Sequence, residues 1–166
     1  MKYTIPTIQH TGTKLLAKMF GDMHWASFTE DIGDRENVLF LGHLTVNSVD
    51  NIKKLKHPII IPFRHPFLIY ESWIRRNKNI PDLIENIRLL VNEIDPLNPH
   101  YVPIDVPNKQ NYLDKLNRDL DIDLITDWGI ENSKKATYNL SYRDIKPTND
   151  ILALVDEIGP FLNRFY

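Results

Sequence analysis

The sequence predicts an α/β fold: three layers, α/β/α, with a central parallel sheet, in a single domain over residues 1–166. Three observations predict it. Apolar runs of strand length alternate with stretches of helical periodicity along the chain. The first such pair, Tyr3 to Phe20, is joined by a tight polar turn around Gly12. The most apolar run, Pro58 to Phe63, has the near-continuous hydrophobicity of a strand covered on both faces.

The elements follow in order. Tyr3 to Ile8 reads as a buried strand. The turn Gln9-His10-Thr11-Gly12 follows, and a helix starts near Thr13, with Leu15, Leu16, Met19 and Phe20 at helical spacing. Met23 to Thr29 predicts a second strand, with Trp25 and Phe28 directed to the core. Glu30 to Asn37 is a charged loop, and Val38 to Leu41 is a short buried strand ending at Gly42-His43. Asn47 to Lys56 predicts a polar helix with Val49, Ile52 and Leu55 inward. Pro62 belongs near the end of the strand 58–63, because proline cannot donate to a ladder. Pro66 suits the first turn of a helix that runs to Arg75-Arg76. Pro81 opens another helix, and Pro96 and Pro99 stop it. Tyr101 to Val106 is a strand, and Tyr112, Leu113, Leu116 and Leu120 mark an amphipathic helix. Thr126 to Arg143 reads as a long loop. Asp150 to Tyr166 is a closing helix, interrupted near Gly159-Pro160.

Composition narrows the function. Net charge is −2, so no global basic field points to nucleic acid. The chain has no cysteine, which excludes disulfides, thiolate metal sites and a cysteine nucleophile. The histidines share no metal-ligand spacing, so no metal site is expected. No apolar run is long enough for a membrane span and no secretory pattern opens the chain, so a cytoplasmic setting is expected.

Parallel α/β sheets bind ligands at the carboxyl ends of their strands. Three groups converge there: the turn at His10 to Lys14, His43, and Arg64, each just past a predicted strand. A glycine turn between strand and helix gathers free backbone N–H groups around an anion. Thr11, Thr13 and Lys14 add hydroxyl and ammonium donors there. The order T-G-T-K-L is not the G-x-x-x-x-G-K-S/T of nucleotide triphosphatases.

With these groups in view the chain resembles the sulfotransferases that use 3′-phosphoadenosine 5′-phosphosulfate (PAPS). Their first loop reads like P-K-S-G-T-T-W or G-G-T-R-A-L; here it is Gln9-His10-Thr11-Gly12-Thr13-Lys14-Leu15. Their second signature is a strand ending in Arg with a Ser eight positions later, matched by Arg64 and Ser72. Where cytosolic members carry K-T-H-L-P, this chain has Leu41-Gly42-His43-Leu44-Thr45, and the closing I-G-P-F-L-N-R-F-Y also resembles bacterial members. The late R-K-G motif is missing. Asn132-Ser133-Lys134-Lys135 stands in its place by loop position and charge.

The resemblance implies a P-loop-type nucleotide-binding fold and transfer of a sulfuryl group from PAPS to a hydroxyl of a sugar or glycan, a lipid or a small metabolite. The co-product is 3′-phosphoadenosine 5′-phosphate (PAP), and no metal is needed. It assigns His10, Thr11, Gly12, Thr13, Lys14 and Leu15 to the 5′ end of the donor. Arg64 and Ser72 go to the 3′-phosphate, with Ser133, Lys134 and Lys135 as further contacts. His43 is then the general base, and Lys14 or His10 stabilises the leaving phosphate. The other readings are a PAP-binding module without catalysis and a small P-loop kinase, which would need a Mg²⁺-holding acid such as Asp105.

Overall fold

In the computed structural model of the chain, which describes residues 1–126, 128 and 140–166, the first strand lies in the middle of the sheet. β1 (Lys2–Thr7), β2 (His24–Ala26) and β3 (Val38–His43) form a parallel ladder in the order β1-β3-β2. β4 (Ile60–Phe63) pairs in parallel with β5 (His100–Pro103). One parallel bridge, Thr4 with Ile59, joins the two ladders, and the Thr4 N–H donates to the Pro58 carbonyl at 3.0 Å. The strand order across the molecule is therefore β2-β3-β1-β4-β5.

Two prolines account for the thin join. Successive residues of a strand turn their N–H groups to opposite neighbours. In β1 the Thr7 carbonyl accepts from Leu44 on the β3 side, and the Thr4 N–H points to the β4 side. Pro6, two residues from Thr4, therefore lacks its donor on the β4 side. In β4 the carbonyls of Ile59 and Phe63 serve His100 and Ile104 on the β5 side, so Pro62 lacks its donor towards β1. Both gaps face one seam. Pro62 stands near the end of its strand, as expected: it is the third of the four residues of β4, opposite Val102, and the direction in which its N–H is missing has no ladder to lose.

Among the described residues the helices are α1 (Thr13–Met19), α2 (Val46–Leu55), α3 (Pro66–Ile74), α4 (Ile80–Leu89), α5 (Lys109–Leu120), α6 (Asn149–Glu157) and α7 (Gly159–Leu162). Tyr3, Ile5, Leu39, Ile60 and Val102 pack with α1 and α5. Ile59, Ile61 and Phe63 alternate to the opposite face and pack with α2, α3, α4, α6 and α7. The helix starts are legible locally. Thr45 and Ser48 form a capping box on α2, and Pro66 takes the first turn of α3. α4 runs on through a π-turn, Leu90–Ile94, and a 3₁₀ turn, Asp95–Leu97, and stops where Asn98 adopts a left-handed φ of 57°. No described helix is long and apolar enough to cross a membrane.

Three expectations shift. The second strand shrinks from residues 23–29 to His24–Ala26. Trp25 on it is 44% exposed rather than in the core, because β2 is an edge strand with β3 as its one partner. The strand predicted over 101–106 is β5, His100–Pro103, and the closing helix divides at Ile158 into α6 and α7. Beyond α7, Phe165 and Tyr166 fold back over Phe63, with ring centroids 5.8 and 6.4 Å away. That fold-back brings the chain's last residue to the carboxyl end of β4.

Candidate functional site

The strand order creates a crevice. The chain leaves β1 into α1 on one face and leaves β3 into α2 on the other, so the two adjacent strands part at their carboxyl ends. A cavity of about 330 Å³ lies there, lined by Gln9, His10, Gly12, Thr13, Lys14, Leu15, His43 and Arg76. Among the described residues its lining contains two full cations and no carboxylate.

The loop after β1 is held from behind. The Trp73 indole N–H donates to the Gln9 carbonyl at 3.1 Å, and the Arg64 guanidinium donates to the His10 carbonyl at 3.4 Å. In a planar trans peptide the N–H points opposite the carbonyl, so these bonds turn the His10 and Thr11 N–H groups away from Trp73 and Arg64. Thr11 is fully buried and its hydroxyl donates to the Ile8 carbonyl at 2.8 Å, so that hydroxyl is spent on the shape of the loop. Thr13 and Lys14 line the cavity itself. The bend requires left-handed backbone at His10 (φ 73°) and Gly12 (φ 91°). α1 starts directly after it, with the Leu16 N–H donating to the Gly12 carbonyl at 3.0 Å.

Gly12 also has no room for a side chain. A Cβ there would lie 2.4 Å from Cδ1 of Ile104. Gly12→Ala is expected to cost about 2–4 kcal/mol, combining the left-handed backbone penalty with the displacement of Ile104. For a chain of this length that lowers the melting midpoint by roughly 5–10 °C. Adding Ile104→Val, which removes Cδ1, should recover the steric part and leave the backbone part. A melt of the double variant no higher than that of Gly12→Ala would disprove the packing argument.

His43 stands across the cavity at the end of β3. The Phe28 ring packs against Gly42 just before it, where a Cβ would come within 2.6 Å of the ring. The Thr7 hydroxyl donates to the Gly42 carbonyl at 3.2 Å and lies 3.5 Å from His43 Nδ1. With its proton committed to the carbonyl, that hydroxyl can only accept from the ring. This favours the tautomer with hydrogen on Nδ1 and leaves Nε2 as the basic nitrogen. Partial burial, then the positive charge of Lys78, holds the His43 pKa below the usual histidine value. The ring is therefore neutral at pH 7.

Behind the loop lies a buried polar group. Arg64 and Ser72 are each 6% exposed, and neither lines the cavity. Asp105 accepts from the His65 N–H at 2.8 Å and from the Tyr166 hydroxyl at 2.6 Å. Burial raises the Asp105 pKa, the Tyr166 and His65 hydrogen bonds lower it, and Arg64 opposes the rise through its charge. Both oxygens of Asp105 are thus engaged, which leaves this acid poorly placed for the Mg²⁺ role that a kinase reading would give it. The His65 ring stacks on Tyr142 at 4.1 Å, and its Nδ1 caps α3 by accepting from the Phe67 N–H at 3.2 Å.

Burial pushes the His65 pKa down to about 4. A histidine held neutral in the fold contributes stability that is full above the ordinary value of about 6.5 and is lost as pH falls towards 4. The loss is at most about 3 kcal/mol. Asp105 works in the opposite sense, since its raised pKa favours the fold at acid pH. His65→Asn keeps a capping side chain and cannot titrate. Its melting midpoint should fall less than the wild type's between pH 7 and pH 4.5. Equal slopes would show that His65 is not the titrating group.

The structure thus brings His10, Gly12, Thr13, Lys14, Leu15 and His43 to one cavity, and sets Arg64 behind the same loop. Ser133, Lys134 and Lys135 lie outside the described residues. Sequence reasoning missed Gln9, Arg76 and Thr7. Arg76 was legible as a basic helix end. Its arrival at the cavity depends on how α3 crosses the loop, which Trp73 fixes. Scans against family models, curated proteins and solved structures return no match for this chain.

Proposed function

We propose that the chain is a PAPS-dependent sulfotransferase of three-layer α/β/α, P-loop-like architecture. One observation carries the reading: a cavity lined, among the described residues, by cations without carboxylates holds the loop after β1 and His43 together. The strand order, with β1 between β3 and β4, supports it. α1 has only seven residues, so the anion site rests on the Lys14 ammonium and the loop N–H groups more than on a helix dipole.

In this reading the 5′-phosphosulfate lies against Gly12, Thr13 and Lys14. The acceptor hydroxyl attacks sulfur in line with the bridging oxygen. Its proton passes to His43 Nε2 as the new O–S bond forms. The S–O bond to the 5′-phosphate breaks, and the charge left on PAP is met by Lys14, with His10 beside it. His43 then returns the proton to solvent. Arg64 and Ser72 take the 3′-phosphate. Both are nearly covered, so the side chains around them must part for a phosphate to enter.

A melting assay with PAP, AMP and ATP side by side tests donor recognition. PAP at about one hundred times its dissociation constant should stabilise the fold by about 2.7 kcal/mol, or roughly 5–10 °C. AMP should do so less, and Ser72→Ala should erase that difference. A preference for ATP would overturn the reading. PAP binding with no transfer to any acceptor would leave a binding module.

A further inference from the structure

We propose that the acceptor is an anionic hydroxyl compound, whose carboxylate, sulfate or phosphate is held by Arg76 and Lys78 beside His43; the proposal rests on the sulfotransferase reading above. The donor accounts for the loop side of the cavity, where Lys14 stands. It does not account for the positive charge on the other side. The acceptor must approach His43, because His43 takes its proton, and Arg76 lines the same cavity at the end of α3, on the sheet face that also carries α2 after His43. Lys78 follows two residues on, outside the cavity lining itself.

These two cations sit on a fixed turn. The Lys78 N–H donates to the Trp73 carbonyl at 3.0 Å and the Asn77 N–H to the Ile74 carbonyl at 3.1 Å, with Asn77 left-handed at φ 51°. That is the double bond pattern of a Schellman helix end, and it holds residues 76 to 78 in one shape without a ligand. Their neighbour Arg75 is neutralised by Glu71 at 2.8 Å. Arg76 has no carboxylate partner among the described residues, and Lys78 lies over the Trp73 ring at 5.8 Å. The chain has 22 acidic against 20 basic residues, yet no acid among the described residues lines this cavity. A guanidinium in the same cavity as a proton acceptor, with a second cation two residues on, is complementary to a negative group next to a reacting hydroxyl.

Calorimetry on the PAP-loaded protein tests this with three matched pairs. They are methyl β-glucuronide against methyl β-glucoside, 4-hydroxybenzoate against 4-hydroxybenzamide, and glycerol 3-phosphate against glycerol. At least one anionic member should bind about tenfold or more tightly than its neutral twin, the size of one charge-assisted hydrogen bond. Arg76→Gln, at an exposed position, should abolish that preference in the PAP-loaded protein while the neutral twin binds as it does to the wild type. Absence of any anionic preference, its survival in Arg76→Gln, or weaker binding of the neutral twin to that variant would each overturn the proposal. Failure of PAP to bind the wild type is a separate result, and it removes the sulfotransferase reading itself.

Discussion

Replacing Arg64 with methionine is expected to destabilise the protein by about 3 kcal/mol, the scale of breaking a buried charged pair, and to weaken PAP binding at the same time. The guanidinium is almost fully covered, donates to the His10 carbonyl, and lowers the charging cost of Asp105. Without it the loop loses one of its two rear supports, and the Asp105 carboxylate stays buried with less compensation. The midpoint should fall by roughly 6–12 °C. The pH dependence identifies the cause. A carboxylate whose folded pKa is raised favours the fold at low pH and penalises it as pH rises through that pKa. The gap between wild type and Arg64→Met should therefore be wider at pH 7 than at pH 4. A gap independent of pH would mean that Asp105 is not the group Arg64 serves. Arg64→Lys keeps the charge but not the fork, and should fall between the two.

His43→Ala should lower the transfer rate by about 10²–10⁴-fold while PAP affinity stays unchanged, because the base acts on the acceptor and not on the donor. Radiolabelled PAPS with a panel of acceptors measures the first quantity, and calorimetry the second. The acid limb of the wild-type rate profile should lie below the ordinary histidine value, since partial burial and Lys78 both disfavour imidazolium. Lys78→Ala should move that limb upward. Thr7→Val, which removes the acceptor for Nδ1–H, should reduce the rate without moving donor affinity. Wild-type turnover in His43→Ala would remove this residue from the mechanism. A collapse of PAP binding in the same variant would place His43 in the donor site instead.

Local chemistry determined much of this fold. Strand and helix alternation is visible as a change of hydrophobic period, and Pro66, Pro81 and the Thr45–Ser48 capping box mark helix starts that need no distant partner. The places of Gly12, His43 and Arg64 just past strand ends were legible for the same reason, because a parallel sheet sends all its strand ends to one edge. What the chain pattern does not contain is direction across the sheet. Pro62 reads as a residue near a strand end, but the side on which its missing N–H does no harm is visible only once β4 is seen with β5 on one side and a bare seam on the other. Trp25 reads as core until β2 proves to be an edge. Arg64 is apparent as a cation near the glycine bend, but its position behind the loop, together with Arg76 on the cavity wall, follows from the packing of α3 through Trp73. Sequence spacing fixes which residues lie at the rim, because that depends on neighbours along the chain. Which of them face solvent and which become buried supports depends on long-range contacts, and only the folded arrangement sets those.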